Sequence, residues 1–527
     1  MSVEDLYKKF SDVHPNIVLK EDILRQGINV GKAAIENFQQ RDDLLWKGYH
    51  LFSYDYGKTV VYGEKIPPFF HFADGCPVQI RTNMYSPYLL DFAGGEFVVR
   101  EDSEIVSRKI YFERKPRWYD MKLEDGTLMR AIVQGIGILF VTMNKYCELW
   151  NTKDQCLFCN LNKTLKDQRA GGEDVVARLE PKAIAEAVET ARTVDHHYST
   201  LFITGGTILG KYRGQTELEF YCTRLNAIRD KLGVWLPTTV QIAAQDDEGW
   251  KRLYETGIGS IQPNFEVWDK KLFHWICPGK DKFIGYDEWI KRTLQAVDFW
   301  GRGRVNPNFV LGIEMAKPYG FEDVSSAVKS TASGWDFLMS HDVLPRYNLW
   351  TIEPGSAFAD QKAPPLEYFI EAEKAYTELR WKYGFDPPVP AAGHRYWYML
   401  NCLHDFEYYH GTGTRSKRTL DARLGLGPGE TGYYVSSHTH LNLLGFMSMM
   451  IYGVGYHILP KFSGRNIYSP MIMNAQFWIG NAGLVGMVAG WLVLRGDVSP
   501  VLIISALLSL TSVVLFAFNI LKTIKSV

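Results

Sequence analysis

Strand-like and helical segments alternate regularly through the middle of this chain, and this alternation constrains its fold more than any other feature. The strand-like segments cover residues 131–143, 199–204, 234–244, 260–267, 305–314 and 343–352. The helical segments between them cover residues 181–194, 216–233, 248–257, 286–300 and 323–341. Such alternation is typical of parallel strands joined by crossover helices. It predicts an α/β fold with a partial (β/α)6 TIM-like barrel, whose functional residues lie on the loops after the strands.

The 527 residues are enough for more than one domain. Residues 1–130 combine amphipathic helical patterns with short β-like pieces, and they predict an N-terminal helical and β extension. Residues 131–425 form the predicted barrel with its C-terminal helices. A glycine-rich linker at 426–432 then precedes a hydrophobic region at 433–527, which we interpret as a separate domain.

The overall charge excludes a strongly basic or acidic protein. Lys and Arg total 58 residues and Asp and Glu total 59, so we expect no nucleic-acid partner. Four of the seven cysteines are scattered, which does not fit a disulfide framework. These four are Cys76, Cys222, Cys277 and Cys402. Reduced thiols place this part of the chain in the cytoplasm.

The other three cysteines lie together in a short segment after the first barrel strand. Cys147 is separated from Cys156 by eight residues, and Cys156 from Cys159 by two. A structural zinc site normally has four ligands, whereas an iron–sulfur cubane held by three cysteines leaves one iron open for a small molecule. The segment therefore predicts a reactive iron–sulfur site, with a zinc site or unrelated core thiols as the alternatives.

The three cysteines, with the aromatic Phe158 just before the last, resemble the cluster loop of the radical SAM superfamily. The family's usual gap between its first two cysteines is three residues instead of eight. Over residues 48–381 the order of features looks like the biotin-synthase-related branch. The resemblance implies an enzyme with a 4Fe-4S cluster on Cys147, Cys156 and Cys159 and with S-adenosylmethionine at the open iron. It also implies a 5′-deoxyadenosyl radical that abstracts hydrogen from an unknown substrate, and a low-potential electron donor such as ferredoxin or flavodoxin.

The same resemblance implies cofactor-binding residues at the strand ends. The turn after the second strand would hold the methionine moiety, although its glycines fit a plain tight turn as well. The end of the fourth strand would contact the ribose or amino group, with a structural hydrogen-bonding role as the alternative. The fifth strand would pack beside the adenine. The implied residues are Phe158, Gly205, Gly206, Thr207, Asn264, Glu266 and Gly312.

Residues that act on the substrate are not identified by any motif. Glu314, at the end of the fifth strand, would face the pocket by the same resemblance. Cys277 lies in a loop that could cover the barrel mouth, and an inert thiol is the alternative. We take both as candidates for catalysis.

Three stretches near the C-terminus contain no Asp, Glu, Lys or Arg. They predict membrane spans at about 434–460, 471–494 and 501–521, since about 20 apolar residues cross a bilayer. The prediction is a multi-pass membrane protein with its catalytic domain in the cytoplasm. A membrane-associated substrate, such as a lipid, isoprenoid, quinone or haem-related compound, is the hypothesis that follows.

The first predicted span carries His438, His440 and His457. The segment from His438 resembles a haem-ligating helix of haem–copper oxidase subunit I, over this short tail alone. His440 and His457 lie about 25 Å apart along a helix, so one chain cannot bring all three to one haem. The tail histidines have two interpretations. They ligate a haem that is shared by two chains, or they are interfacial residues without a ligand.

Two alternative functions belong to other classes of protein. An iron–sulfur electron-transfer protein serving a membrane partner would have the cluster and would not cleave S-adenosylmethionine. A zinc-stabilised membrane scaffold would hold zinc in place of iron. The barrel pattern and the paired glycines favour the enzyme.

Overall fold

The computed structural model of the chain describes residues 2–46, 66–135, 138–195, 198, 200–233, 236–385, 400–403, 405–406, 440–493 and 500–525. It divides into two compact units, Met1–Glu407 and Tyr408–Val527. The predicted linker at 426–432 lies outside the described residues, as does His438. The first unit is a mixed α/β structure of sheets and helices, and the second is helical.

The first unit begins with three helices, α1 (Val3–Lys9), α2 (Pro15–Gln26) and α3 (Lys32–Gln39). Ser2 and Asp5 form a capping box that starts α1, and Pro15 fills the first turn of α2, where no backbone donor is needed. A four-stranded sheet follows in the order β1-β4-β5-β6. Its strands are β1 (Asn29–Val30), β4 (Tyr88–Ala93), β5 (Glu96–Glu101) and β6 (Glu104–Ile110), and a separate hairpin joins β2 (Phe69–His71) to β3 (Pro77–Gln79).

The central sheet has the order β11-β10-β9-β8-β7. Its strands are β7 (Val133–Gly135), β8 (Leu139–Asn144), β9 (Leu201–Gly205), β10 (Thr238–Gln241) and β11 (Ser260–Gln262). Strands β12 (Asn308–Leu311) and β13 (Arg346–Leu349) form a parallel pair. Two isolated parallel bridges, Ile261 to Val305 and Glu266 to Phe309, join this pair to β11. Strands β8 to β13 are therefore six parallel neighbours in chain order, as the alternation predicted.

The sheet departs from the prediction in two respects. Within the segment 131–143, the described residues form two strands, β7 and β8, which pair antiparallel, and not a single strand. Gly135 and Gly137 interrupt the apolar run there, and glycine weakens a strand interior. Among the described residues, the ladders form a five-stranded sheet and a separate pair, and none links β13 to β8. The predicted barrel is thus an open series of strands in the described part of the chain.

Helices connect the parallel strands. Helix α6 starts at a capping box between Thr216 and Glu219, and it ends at Gly233, whose φ of 68° favours glycine. The helices of this region are α4 (Leu161–Ala170), α5 (Pro181–Val194), α6 (Glu217–Leu232), α7 (Asp247–Tyr254), α8 (Lys270–Ile276), α9 (Pro278–Phe283), α10 (Tyr286–Trp300), α11 (Val324–Ser340) and α12 (Leu366–Lys382).

In residues 440–493 and 500–525, the second unit forms a π-helical segment, Leu441–Ser448, and three α-helices. These are α13 (Met449–Ser463), α14 (Pro470–Val493) and α15 (Pro500–Lys525). Two stretches, Leu441–Ser463 and Pro500–Ile524, are long and apolar enough to cross a membrane. The third predicted span, at 471–494, coincides with α14, and its insertion in a membrane stays a prediction.

Helix α14 packs closely on α15 through a glycine face. A Cβ added at Gly483 would lie 2.6 Å from the Ser509 hydroxyl oxygen and 2.8 Å from the Ser509 backbone nitrogen. Gly480 and Gly490 also face α15, where an added Cβ would meet the side chains of Ser512 and Leu502. The polar side chains of Gln476 and Ser512 are buried and bond to each other at 2.8 Å. Small residues that let two backbones approach are typical of helix pairs in membranes.

Replacing Gly483 by alanine is expected to destabilise this helix pair by about 1–3 kcal/mol, because the methyl group would meet backbone atoms that cannot move away alone. Thermal unfolding of the detergent-solubilised protein measures the change. Gly453→Ala is the matched control, since a Cβ at Gly453 meets no atom within 4 Å. Equal effects of the two substitutions would contradict the packing argument.

Candidate functional site

A cavity of about 190 Å³ opens at the carboxyl ends of the parallel strands β8 to β11. Cys147, Cys156 and Cys159 all line it. The remaining lining comes from the turn after β9, from polar side chains at the ends of β10 and β11, and from α6, α9 and α10. Those polar and turn residues include Thr204, Gly205, Gly206, Thr207, Glu217, Gln241, Gln262, Asn264, Glu266 and Lys280. Most of the predicted cofactor-binding residues are thus brought together in one place.

The first cysteine is held through its backbone. The Cys147 amide donates to Oδ1 of Asn162 at 2.7 Å, and Nδ2 of Asn162 donates to the Cys147 carbonyl at 2.9 Å. Asn162 lies in α4, directly after the third cysteine. Since one amide side chain satisfies both groups, the two ends of the three-cysteine segment are fixed relative to each other.

The eight-residue insert between Cys147 and Cys156 is an ordered part of the site. Its Glu148 side chain accepts from Arg178 at 2.7 Å and from the backbone of Leu209 at 2.9 Å. The Glu148 amide donates to the Thr207 carbonyl at 2.8 Å. The insert is therefore bonded to the turn after β9, and the unusual spacing does not leave a loose loop.

Two polar atoms of the insert are buried at the cavity without a hydrogen-bond partner among the described residues. They are the indole nitrogen of Trp150 and the side-chain oxygen of Gln155. A buried donor or acceptor without a partner costs free energy, so such atoms indicate a missing ligand or water. Neither residue could be selected from the sequence, because a tryptophan and a glutamine in a loop carry no motif.

The glycine turn packs against the protein itself. A Cβ at Gly206 would lie 2.8 Å from the nitrogen, Cα and Cβ of Cys147, and one at Gly205 would lie 2.7 Å from the Tyr221 hydroxyl. The Gly206 amide also donates to the Asn144 carbonyl at 2.7 Å. Gly206 is required by the close approach of the cysteine segment, and Gly205 by the close approach of Tyr221 and Asn144. These packing reasons differ from the predicted contact with a ligand.

Amide side chains form a chain of hydrogen bonds across the floor of the cavity. Thr204 donates to Gln241 at 2.6 Å, and Gln241 donates to Gln262 at 3.0 Å. Gln241 also reaches Oδ1 of Asn264 at 3.4 Å, and that oxygen accepts from the Asn308 amide at 3.3 Å. Asn264 thus lines the cavity, and its side chain also makes the structural hydrogen bonds that were the alternative to a contact with the cofactor.

Glu266 forms an ion pair with Lys280 at 2.7 Å, and Lys280 also donates to the Asn264 carbonyl at 2.7 Å. Burial opposes the charge on Lys280, but the Glu266 carboxylate raises the pKa of the lysine above its ordinary value. The backbone of Glu266 has a φ of 71°, which is uncommon for a residue other than glycine. This conformation turns its side chain toward the α9 lysine, a residue that the sequence analysis did not select.

Cys277 lies at the junction of α8 and α9, fully buried beside Cys156. Hydrogen bonding from the Cys277 thiol lowers the pKa of Cys156, whereas burial raises the pKa of Cys147 to about 11. Two backbone bonds tie this junction to the cysteine segment. They run from Leu157 to the Ile276 carbonyl and from Gly279 to the Asp154 carbonyl, both at 2.9 Å. Cys277 is therefore close to the three-cysteine segment, although it is not part of the cavity lining.

A second carboxyl group at the cavity was missed by the sequence analysis. Glu217 begins α6, and its side chain accepts from the Ile208 amide at 3.0 Å. Loss of hydration raises the pKa of Glu217 to about 7. The position of an acidic residue in the first turn of a helix is ordinary, so only the fold reveals that it faces the thiols.

Besides Cys277, three predicted residues lie outside the cavity lining. Phe158 is half-buried on the cysteine segment. A Cβ at Gly312, whose φ is 104°, would lie 3.0 Å from both Phe369 and Pro364, so this glycine packs against α12 and the loop before it. Glu314 is fully buried and accepts from Thr331 at 2.7 Å and Tyr368 at 2.8 Å. The predicted roles of Gly312 beside adenine and of Glu314 in the pocket find no support in this arrangement.

Glu314 predicts a pH dependence of stability. Burial raises its pKa from 4.5 to about 7, so the folded protein holds this proton more tightly than the unfolded chain. The free energy of unfolding therefore falls as pH rises from about 4.5 to about 7, by on the order of 1.4 kcal/mol per unit of pKa difference. Glu314→Gln should make this decline shallower in urea unfolding curves by the share of one carboxyl group, while Glu217, with a similarly raised pKa, maintains part of it. Glu378→Gln, an exposed position on the same helix as Tyr368, should retain it.

The tail histidines form no common site in the described residues. His440 precedes the π-helical segment, and His457 lies within α13, where its Nε2 is 2.9 Å from the Lys461 ammonium nitrogen. The proposed haem ligation by these residues stays a prediction.

Comparisons with known proteins identify no family. No family model matches the sequence, and no curated protein matches it. Among solved structures, the chain is similar to the crystal structure of HydG, a maturase of the FeFe hydrogenase, at 14% identity and a TM-score of 0.30. The match covers 71% of this chain and 80% of that one. A similarity this low carries no argument, so the residues of the cavity must support the function by themselves.

Proposed function

We propose that this chain is a radical SAM enzyme, which holds a 4Fe-4S cluster on Cys147, Cys156 and Cys159 and reductively cleaves S-adenosylmethionine. The observation that carries the proposal is the meeting of three thiols from one segment at a single cavity, at the carboxyl ends of parallel strands. Ligand sites are common at this end of parallel β/α folds.

The spacing of the thiols supports a cluster over a single metal ion. Sulfurs bound to one zinc at about 2.3 Å would lie roughly 3.8 Å apart in a tetrahedron. The three cysteine sulfurs do not all lie within 4.8 Å of one another. Among the described residues, three ligand atoms come that close only at a different place in the first unit. A wider arrangement of thiols suits a cubane, in which each cysteine binds a different iron.

The cavity also offers polar groups that suit S-adenosylmethionine. The unpartnered Trp150 N–H can donate to a carboxylate or ring nitrogen, and the Gln155 oxygen can accept from an amino or hydroxyl group. When bound, the cluster supplies the electron that breaks the sulfonium bond. The chain's part is to position its ligands, through Asn162 and Glu148, and to exclude water from the cavity.

The test uses the full-length protein, purified anaerobically, reconstituted with iron and sulfide, and reduced with dithionite or reduced flavodoxin. We expect 5′-deoxyadenosine and methionine to form in equal amounts. A 4Fe-4S signal without any cleavage would instead support the electron-transfer rival. Zinc without iron in the three-cysteine segment would overturn both proposals.

We further propose that the second unit attaches the enzyme to a membrane as a multi-pass domain, with the first unit in the cytoplasm. The two long apolar helices support this attachment. The full chain should remain in the membrane fraction after washing at alkaline pH and should require detergent for release. Protease added to inside-out vesicles should digest the first unit, whereas protection there would reverse the proposed orientation.

A membrane location favours a substrate that itself resides in the membrane, such as a lipid, isoprenoid, quinone or haem-related compound. Candidate classes can be compared by substrate-dependent formation of 5′-deoxyadenosine in detergent micelles. Stimulation by water-soluble metabolites alone would contradict this part of the proposal.

A further inference from the structure

Three buried side chains meet in the first unit at a distance from the cavity lining. They are Glu21 on α2, Glu373 on α12 and Cys402 in the segment 400–403. One ligand atom from each lies within 4.8 Å of the other two. None of the three residues has any exposed surface. Acidic residues are rarely buried completely unless they are paired, so this group needs a physical explanation.

The two carboxyl groups have few partners for such complete burial. Glu21 interacts with Glu373 and with the Cys402 thiol, and Glu373 interacts with the Tyr347 side chain. Among the described residues, no donor reaches either oxygen of Glu21 or Oε2 of Glu373 with the distance and angle of a normal hydrogen bond. The remaining oxygen of Glu373 accepts from the Cys402 amide at 3.3 Å, which is a long bond. The neighbouring cation, Lys20, forms its ion pair with Asp405 at 2.6 Å, and both of these side chains are completely buried.

Two arrangements could relieve this cost. One proton shared between Glu21 and Glu373 would satisfy one oxygen of each carboxyl group and leave the second Glu21 oxygen to the Cys402 thiol, which is a weak donor. A divalent cation would instead bind both carboxylates and employ the thiol as a ligand. The completely buried Glu21 side chain, whose oxygens receive no well-formed hydrogen bond among the described residues, therefore points to a cation.

We propose that Glu21, Glu373 and Cys402 bind a divalent transition metal of the zinc class. A thiolate combined with carboxylates suits zinc, whereas magnesium and calcium take oxygen ligands. Binding displaces the thiol proton and any proton on the carboxyl groups, because the ligands coordinate in their deprotonated forms. Glu21 can bind through both of its oxygens, which brings the number of ligand atoms to the four of a structural zinc site. Since all of these ligands are shielded from solvent, the role of this metal is structural.

The proposed metal would join parts of the chain that are far apart in sequence. Glu21 belongs to the N-terminal extension, Glu373 to the helix after the last parallel strand, and Cys402 to the segment beyond it. A metal that joins distant segments adds its binding free energy to the stability of the fold. The proposal is independent of the radical SAM reaction, because it concerns other residues.

The experiment measures zinc and iron separately by elemental analysis in the full-length, cluster-containing protein. We expect about one zinc per chain in addition to the cluster iron. Cys402→Ser and Glu21→Gln should lose the zinc while the iron content and the visible spectrum of the cluster persist. Cys222→Ser, a change of another buried thiol, should keep both metals.

The thermal stability of Glu21→Gln separates the two arrangements even where Cys402→Ser fails to fold. Loss of a bound metal should lower its unfolding temperature, and zinc should not restore it. A shared proton predicts the opposite, since glutamine has a similar shape and can donate the hydrogen bond itself. A wild-type protein without a second stoichiometric divalent metal, together with an unchanged or raised unfolding temperature for Glu21→Gln, would overturn the proposal.

Discussion

Cys159→Ala is expected to abolish the visible absorption of the 4Fe-4S cluster and to lower 5′-deoxyadenosine formation by more than about 100-fold. Changes in residues that only support metal ligands already cost about 10- to 100-fold, and the loss of a ligand itself should cost more. With three cysteines available, the cluster would retain only two protein ligands. Cys147→Ala and Cys156→Ala should behave in the same way.

The control for this experiment is Cys222→Ala. Cys222 is a buried thiol on α6 that does not line the cavity, so its removal changes the thiol count without changing the cluster loop. We expect its iron content and activity to match the wild type. If Cys159→Ala formed an unaltered cluster with full activity, the assignment of the ligands would be wrong.

Gly206→Ala is expected to prevent normal cluster assembly and to lower activity by more than about tenfold, although no chemical group of the site is removed. The added Cβ would lie 2.8 Å from three atoms of Cys147, two of them in the backbone. The first cysteine must move away, and ligand displacements of about 1 Å cost about 100-fold in many sites. Iron content, the spectrum of the reduced cluster and product formation are the measurements.

Gly210→Ala provides a matched control, because Gly210 lies in the same connection and a Cβ there meets no atom within 4 Å. Its cluster content and activity should be close to those of the wild type. Similar losses in both variants would mean that the connection tolerates no side chain at all, which would remove the argument from the close approach to Cys147.

The sequence was most informative where residue type alone limits the structure. The six parallel strands follow from alternating apolar runs, and the positions of the three cysteines and the paired glycines follow from their order after strands. The single strand expected at 131–143 was wrong, because an apolar run does not show where the chain reverses. Gly135 and Gly137 within that run were the signal for a hairpin.

Residues whose environment depends on distant packing could not be predicted in this way. Glu314 follows a strand as a pocket residue would, yet Thr331 and Tyr368 from two later helices surround it. Lys280 pairs with Glu266, whose backbone has a positive φ that its residue type does not indicate. Glu21, Glu373 and Cys402 form no sequence motif, since they come from three segments that are far apart in the chain.

The backbone bonds from Leu157 to Ile276 and from Gly279 to Asp154 have a further consequence for cluster assembly. Together with Asn162, they hold the cysteine segment in place through protein contacts alone. An iron–sulfur carrier would therefore meet a preorganised receptor, and little of the binding free energy would be needed to order the chain. The same bonds also postpone the ordering of the cysteine segment during synthesis, because they can form only after residues up to Gly279 have been synthesised and have folded.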